Sequence, residues 1–203
     1  MNLVACLQSF NRKERYWVIR NILDYPDGME ISDSFLNVLN KGFDCEFERN
    51  SWWAIDYHID WLIGALALYG NGGDPGPIIC DNVNRLVRGS QEDFDFIVAA
   101  GNTIVVIEAK FESPWTPKQY KSKVSRFKQI KSYFKELCPD VKLDFGLMAR
   151  RERNGVIVPQ IELQGPPTKW FRRIKRWDPI SGKPSKDGSH WHISGVDLGR
   201  SGG

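Results

Sequence analysis

The sequence predicts an α/β fold with a central mixed β-sheet flanked by helices. Short apolar runs rich in valine and isoleucine, typical of strands, alternate along the chain with segments whose apolar residues recur every three or four positions, typical of helices. The length of 203 residues, with 41% hydrophobic and 26% charged residues, suits one packed core. The composition therefore argues against a disordered chain and against a disulfide scaffold.

Three parts are predicted along the chain. Residues 1–50 are expected to form a helical N-terminal extension packed on the core, and residues 51–164 the core itself. Residues 165–203 are polar, basic and rich in Gly and Pro, and we expect them to form a C-terminal extension.

The first elements predicted along the chain are helices. One covers residues 12–23, and a second begins at Ser32 or Asp33, since either side chain can cap a helix. A third covers residues 51–69, where apolar residues recur at steps of three and four, namely Ile55, Ile59, Leu62, Ile63 and Leu66. The Gly- and Pro-rich residues 70–77 are expected to form a surface loop.

Strands dominate the next segment. Residues 94–109 run apolar, turn, and run apolar again, which predicts a β-hairpin whose second strand is central in the sheet. A helix is predicted over residues 117–137, because proline is favoured in a first turn and one face is apolar. Two strands follow, over residues 143–149 and 156–163, joined by a charged turn at residues 150–155.

Charge is distributed unevenly. Residues 1–100 hold 8 basic and 15 acidic residues, a net charge of −7. Residues 101–203 hold 20 basic and 10 acidic residues, a net charge of +10. A basic half favours an anionic partner such as nucleic acid.

The cysteines and the apolar runs indicate the compartment. Four scattered cysteines without metal-ligand spacing favour a reduced, cytoplasmic setting. The first residues lack the pattern of a signal peptide. The longest apolar run, residues 61–69, has nine residues, against about 20 needed to span a bilayer, so no membrane association is expected.

Charged residues lie at the end of the predicted hairpin. Asp93 and Asp95 share one face of its first strand, and Glu108 and Lys110 share one face of its second, because strand side chains alternate with a period of two. Charges beside apolar strands are costly unless they are paired or bind a metal. Carboxylate oxygens suit Mg²⁺ or Mn²⁺, which serve phosphoryl chemistry.

These residues resemble a known motif. Asp95, thirteen residues before Glu108-Ala109-Lys110, resembles the core motif of the PD-(D/E)XK nucleases, the restriction-endonuclease-like superfamily. The resemblance covers roughly residues 51–149. It implies a core made of a helix, a three-stranded meander, a helix and a further strand, in which residues 82–87 would supply the remaining meander strand.

The resemblance also implies roles for these residues. Asp95 and Glu108 would bind the divalent ion together with the backbone carbonyl of Ala109, and Lys110 would polarise the attacking water. Phe94 stands where the family usually has proline, which leaves Asp93 as a rival ligand.

The helix over residues 117–137 carries a polar stripe made of Gln119, Lys123 and Arg126. The resemblance implies a Gln or Lys directed at the active site from this helix, and Gln119 matches by its distance from Lys110. Gln129 with Tyr133 is the alternative. Lys123 and Arg126 are predicted to bind nucleic acid, and a second stripe, made of Lys121, Lys128 and Lys135, either contacts phosphates or is solvated.

Many superfamily members place an acid on the first core helix, facing the metal. Asp56 and Asp60, one helical turn apart, are the candidates, with Glu46 or Glu48 just upstream as alternatives. Spacing does not separate them.

The C-terminal tail combines aromatic and basic residues. Trp170, Phe171, Ile174 and Trp177 recur at helical spacing, with Arg172 and Arg173 among the interleaved basic residues. A helix of this kind could bind nucleic acid through Arg172 and Arg173, lie on an anionic membrane, or dock on the core.

We therefore predict a Mg²⁺- or Mn²⁺-dependent nuclease that hydrolyses phosphodiester bonds, with DNA favoured over RNA and no organic cofactor. The rival is a catalytically inactive protein of the same fold that binds nucleic acid or another protein. A homodimer is reasonable, because cutting both strands of a duplex commonly recruits two active sites.

Overall fold

The structure, a computed structural model, describes residues 1–24, 29–74, 78–89, 92–110, 117–149, 158–162, 172–185 and 190–195. The chain divides into two compact units, Met1–Leu163 and Gln164–Gly203. None of the helices in these described ranges is long and apolar enough to cross a membrane.

A five-stranded mixed sheet lies at the centre of the first unit. Its strands stand side by side in chain order, β1 Trp52–His58, β2 Asp93–Ala100, β3 Thr103–Lys110, β4 Lys142–Ala149 and β5 Gln160–Glu162. Strands β1, β2 and β3 are antiparallel neighbours, and β4 and β5 continue the sheet parallel to β3. The predicted α/β fold with a central mixed sheet is confirmed.

Helices cover both faces of this sheet. Their bounds are α1 Leu3–Phe10, α2 Glu14–Ile22, α3 Asp33–Phe43, α4 Ile59–Gly70 and α5 Pro117–Leu137. One apolar core packs α1, α4 and α5 against the sheet, through residues such as Leu7, Leu66 and Ile130. A second core packs Leu39 and other residues of α3 against the opposite face. The sheet is therefore buried between two helical layers.

Several predicted elements are confirmed. The hairpin is formed by β2 and β3, and α5 begins at Pro117 and ends at Leu137. The helix that opens at Ser32 or Asp33 is α3, and the Ser32 side chain accepts from the backbone N–H of Phe35 as its N-cap.

The helix predicted over residues 51–69 is wrong in its first half. Residues 52–58 form β1, and α4 begins at Ile59. Asp56 has a left-handed backbone, with φ of 50°, and the β1–β2 register is the same on both sides of it. Of the five apolar residues behind the prediction, only Ile55 lies in β1, and the other four lie in α4, so the helical spacing was genuine only from Ile59 onward.

The strand predicted over residues 82–87 is also wrong. Val83–Arg85 form a short 3₁₀ turn in which Asn84 has a φ of 55°, and the Asn82 side chain bonds both backbone polar groups of Val87. Strand β1 supplies the first strand of the meander instead.

The last strand of the sheet differs from the prediction. β5 is shorter than residues 156–163 and runs parallel to β4, so a tight turn cannot join the two strands. The predicted turn at residues 150–155 lies outside the described residues.

The second unit contains a small antiparallel sheet of β6 Arg172–Asp178, β7 Lys183–Pro184 and β8 His190–Gly195, in the order β7-β6-β8. The helix predicted around residues 170–177 is therefore wrong. A turn reverses the chain after β6, because the Gly182 N–H bonds the Asp178 carbonyl and Gly182 has a φ of 64°. Four aromatic or aliphatic positions were too few to separate a helical from a strand period.

Candidate metal centre

The central hairpin opens at the end that carries the acidic residues. Strands β2 and β3 pair from Ala100↔Thr103 to Phe96↔Ile107. Beyond that pair, the Asp95 Oδ2 accepts a hydrogen bond of 2.6 Å from the backbone N–H of Ala109. The Asp95 carboxylate therefore takes the place of a ladder carbonyl and reaches across to β3.

Glu108 is the buried acid at this open end. Its side chain is 8% exposed, and its Oε2 lies 3.1 Å from the Lys123 ammonium. The ammonium is the partner of Oε2, and no further hydrogen bond reaches this oxygen in the described part of the chain. Burial, and then the charge of Asp95, raises the pKa of Glu108 from 4.5 to about 6, although Lys123 and Lys110 act in the opposite direction.

The Lys123 side chain extends from α5 and contacts both strands of the hairpin. Its ammonium donates a 2.7 Å hydrogen bond to the Asp93 carbonyl while it pairs with Glu108, and it lies 5.7 Å from the centre of the Phe94 ring. We predicted that Lys123 contacts phosphates, because it belongs to a polar stripe along α5. The structure instead brings it into the acidic site, where its side chain is 16% exposed.

The structure describes the surroundings of Lys110 and Gln119 only in part. Lys110 ends β3, is partly buried, and is close enough for its charge to lower the pKa of Glu108. Gln119 lies in the first turn of α5, but its side chain is outside the described residues. Gln129, the alternative, is exposed.

Asp93, the rival ligand, is engaged elsewhere. Its Oδ2 forms a 2.6 Å ion pair with Lys13, the residue that precedes α2. Its Oδ1 is buried without a hydrogen-bond partner among the described residues. His58, which faces Asp93 across the β1–β2 register, stacks near Trp61 and likewise leaves its Nδ1 unpartnered in the described part of the chain. Sequence reasoning missed Lys13, because no local pattern links it to Asp93.

The two proposed helix acids do not join Asp95 and Glu108. Asp56 lies on β1 and forms a 2.7 Å ion pair with Arg15. Asp60 lies in the first turn of α4 and accepts from backbone N–H groups, as described below. Within the described ranges, no three or more His, Cys, Asp or Glu residues are grouped to hold a metal ion. Neither aspartate is therefore grouped with Asp95 and Glu108 among the described residues, and Asp56 lies on a strand rather than on the predicted helix.

The predicted role of Arg126 as a nucleic-acid contact is also wrong. Its side chain is 2% exposed, and it donates to the carbonyls of Arg85 and Leu86 and to Asp60, at 3.4 Å for the first and the last. Asp60 also accepts from the N–H groups of Arg88 and Gly89. Because the guanidinium is buried in these contacts, Arg126 is not a nucleic-acid contact.

The other predicted nucleic-acid contacts divide into two groups. Arg172 and Arg173 lie on β6, and their side chains are outside the described residues. The second lysine stripe of α5 is exposed along its length, at Lys121, Lys128 and Lys135. This helix therefore presents a basic surface to solvent.

The donor set fits a hard divalent cation. Asp95 and Glu108 supply carboxylate oxygens, and the Ala109 carbonyl is the third oxygen that the motif implies. A carboxylate that is buried beside a second carboxylate, with only an ammonium against its Oε2 in the described part of the chain, is an arrangement that a divalent ion stabilises. Water would complete the shell, since Mg²⁺ usually keeps several waters.

The chain was also compared with known proteins. No protein-family model, no curated protein and no solved structure matches it. Function is therefore inferred from the geometry of the site.

Proposed function

We propose that the protein is a nuclease that requires Mg²⁺ or Mn²⁺ and hydrolyses phosphodiester bonds of nucleic acid, with DNA favoured over RNA. The observation that carries this proposal is the Glu108 carboxylate, which is buried beside Asp95 at the open end of the central hairpin with only the Lys123 ammonium against its Oε2 in the described part of the chain. Two carboxylates that share a poorly exposed site are costly unless cations neutralise them.

The topology supports a restriction-endonuclease-like core. Strands β1, β2 and β3 are antiparallel neighbours, and α5 and then β4, parallel to β3, follow them. This part of the order agrees with the meander, helix and further strand that the PD-(D/E)XK resemblance implies, whereas α4, from the predicted first core helix, lies between β1 and β2 rather than before the meander. Asp95, Glu108 and Lys110 then stand on the two strands that the motif requires.

The residues have distinct roles in this mechanism. A bound divalent ion would supply charge neutralisation at the scissile phosphate and lower the pKa of a water molecule. Asp95 and Glu108 would hold that ion, and the Ala109 N–H fixes the Asp95 carboxylate in position. Lys110 holds and polarises the attacking water and stabilises the charge that develops on the phosphate. The exposed lysines of the second stripe of α5, Lys121, Lys128 and Lys135, bind the nucleic-acid backbone without reading sequence.

A cleavage assay tests the proposal. Wild type is incubated with linear DNA, supercoiled DNA and RNA, with Mg²⁺ or Mn²⁺ and then with EDTA. We expect cleavage that EDTA abolishes, and a loss of about 100-fold or more in Asp95→Asn, Glu108→Gln and Lys110→Ala. Lys131→Ala is the matched control, since Lys131 is an exposed lysine of α5 that pairs with Asp144. Cleavage that persists in Glu108→Gln or in EDTA overturns the proposal.

A catalytically inactive, nucleic-acid-binding protein is the second candidate. The observation that favours it is the Lys123 ammonium, which already partly neutralises Glu108. In that case wild type binds nucleic acid with a salt-dependent affinity, EDTA does not change the binding, and none of the substrates is cut.

A further inference from the structure

We propose that the Lys123 ammonium occupies the cation position of the metal-free site, and that a divalent ion binds by displacing this ammonium from Glu108. The inference rests on the proposed metal site. It makes Lys123 a positioning residue that competes with the metal, rather than a phosphate contact.

The contacts of Lys123 support this role. Its ammonium lies 3.1 Å from the Glu108 Oε2 and 2.7 Å from the Asp93 carbonyl oxygen. Both partners are oxygen atoms at the open end of the hairpin, one from each strand. An ammonium between carboxylate and carbonyl oxygens has the environment that a hard metal cation also prefers.

The ammonium and the metal compete for the same carboxylate. Glu108 would approach Mg²⁺ at about 2.0–2.1 Å, and the ammonium that lies 3.1 Å from its Oε2 would repel that ion. The Glu108 side chain is buried and has little freedom to serve both cations at once.

The structure also offers the displaced ammonium a destination. The Oδ1 of Asp93 is buried without a hydrogen-bond partner in the described part of the chain, and it belongs to the residue whose carbonyl already binds Lys123. The four-carbon stem of lysine is flexible, so we take this oxygen as the new partner of the ammonium when the metal binds Glu108.

Metal affinity measures the competition directly. Mn²⁺ is titrated into wild type, Lys123→Met and Lys13→Met at pH 8 and low salt, and free Mn²⁺ is read from its electron paramagnetic resonance signal. Methionine keeps the unbranched stem over Phe94 and removes the charge. We expect the Kd for Mn²⁺ to fall about tenfold or more in Lys123→Met, because one competing positive charge is gone.

Lys13→Met is the matched control. Lys13 is a partly buried lysine of the same cluster, but its ammonium pairs with Asp93 at 2.6 Å and not with Glu108. Its loss leaves the Lys123–Glu108 ion pair in place but removes the partner of Asp93 Oδ2, so we expect a smaller gain in affinity than in Lys123→Met, of about threefold or less. Lys123→Gln repeats the measurement if circular dichroism shows that Lys123→Met is unfolded.

The outcomes separate the two proposals. Equal Mn²⁺ affinity in wild type and Lys123→Met, weaker affinity in Lys123→Met, or an equal gain in Lys13→Met overturns the displacement and leaves the metal site standing. If none of the three proteins binds Mn²⁺ at millimolar concentration, the proposed metal site itself is overturned, and the displacement with it.

Discussion

Two cations of helix α5 form ion pairs with poorly exposed acids, Arg126 with Asp60 and Lys123 with Glu108. The two ion pairs differ in how completely the acid is hydrogen-bonded. Asp60 accepts from the backbone N–H groups of Arg88 and Gly89, the latter at 2.7 Å, as well as from Arg126. Glu108 has Lys123 at 3.1 Å, and no further hydrogen bond reaches its Oε2 in the described part of the chain.

This difference indicates two purposes for similar side chains. The Asp60 cluster, made of Asp60, Arg126 and the backbone of residues 85–89, holds this loop against α4 and α5. Its carboxylate already has hydrogen-bond donors and requires no ligand. The Glu108 cluster keeps a buried carboxylate oxygen whose partner in the described part of the chain is the Lys123 ammonium, next to a second acid. A buried acid that the fold leaves incompletely bonded is a candidate functional group, whereas a fully bonded one is a structural group.

The largest expected effect is on the Asp60 side of the comparison. Arg126→Met should lower the free energy of unfolding by about 3 kcal/mol, because it removes a buried partner from Asp60 and from the Arg85 and Leu86 carbonyls. Urea denaturation measures the loss, with Lys128→Met, an exposed lysine of α5, as the control. A loss below about 1 kcal/mol would mean that this cluster is not structural.

The next effect has the opposite sign and concerns Glu108. Its pKa in the folded protein is about 6, above the ordinary 4.5, so the folded state binds the proton more tightly than the unfolded state. Stability therefore falls as pH rises from 4.5 to 6, and the ionised side chain costs about 2 kcal/mol at higher pH. Glu108→Gln should remove that cost and stabilise the metal-free protein.

Urea denaturation in EDTA at several pH values checks this sign. We expect Glu108→Gln to be more stable than wild type by about 2 kcal/mol at pH 8, with the difference vanishing near pH 4. Destabilisation at pH 8, or a difference that does not change with pH, would show that Glu108 is a satisfied structural acid like Asp60.

The comparison also explains what sequence could predict of the fold. The hairpin and α5 follow local rules, an alternating or a helical pattern closed by a turn or a proline, and both were predicted. Strand β1 was not, because only Ile55 of the five apolar residues behind the helix prediction lies in it, and one residue cannot separate a strand period from a helical one. The four residues from Ile59 onward do lie on a helix, α4, so the error was in where that helix begins.

The candidate site divides in the same way. Glu108 and Lys110 share one strand, and Asp95 lies on the adjacent strand of the same hairpin, so spacing alone brought them together. Asp60 and Arg126 are 66 residues apart, and Lys13 and Asp93 are 80 apart. Such pairs depend on how whole elements pack, and one sequence holds no local signal for them.

The smallest expected effect comes from a third ion pair of the same helix. The Lys131 ammonium lies 3.0 Å from Asp144, as close as Lys123 lies to Glu108, but the two side chains are 52% and 27% exposed. Solvent screens such a pair, so Lys131→Ala should change the free energy of unfolding by about 0.5 kcal/mol or less. Urea denaturation at low and high salt measures it. A loss above about 1 kcal/mol would mean that distance rather than burial determines what these ion pairs contribute, and the contrast between Asp60 and Glu108 would then lose its physical basis.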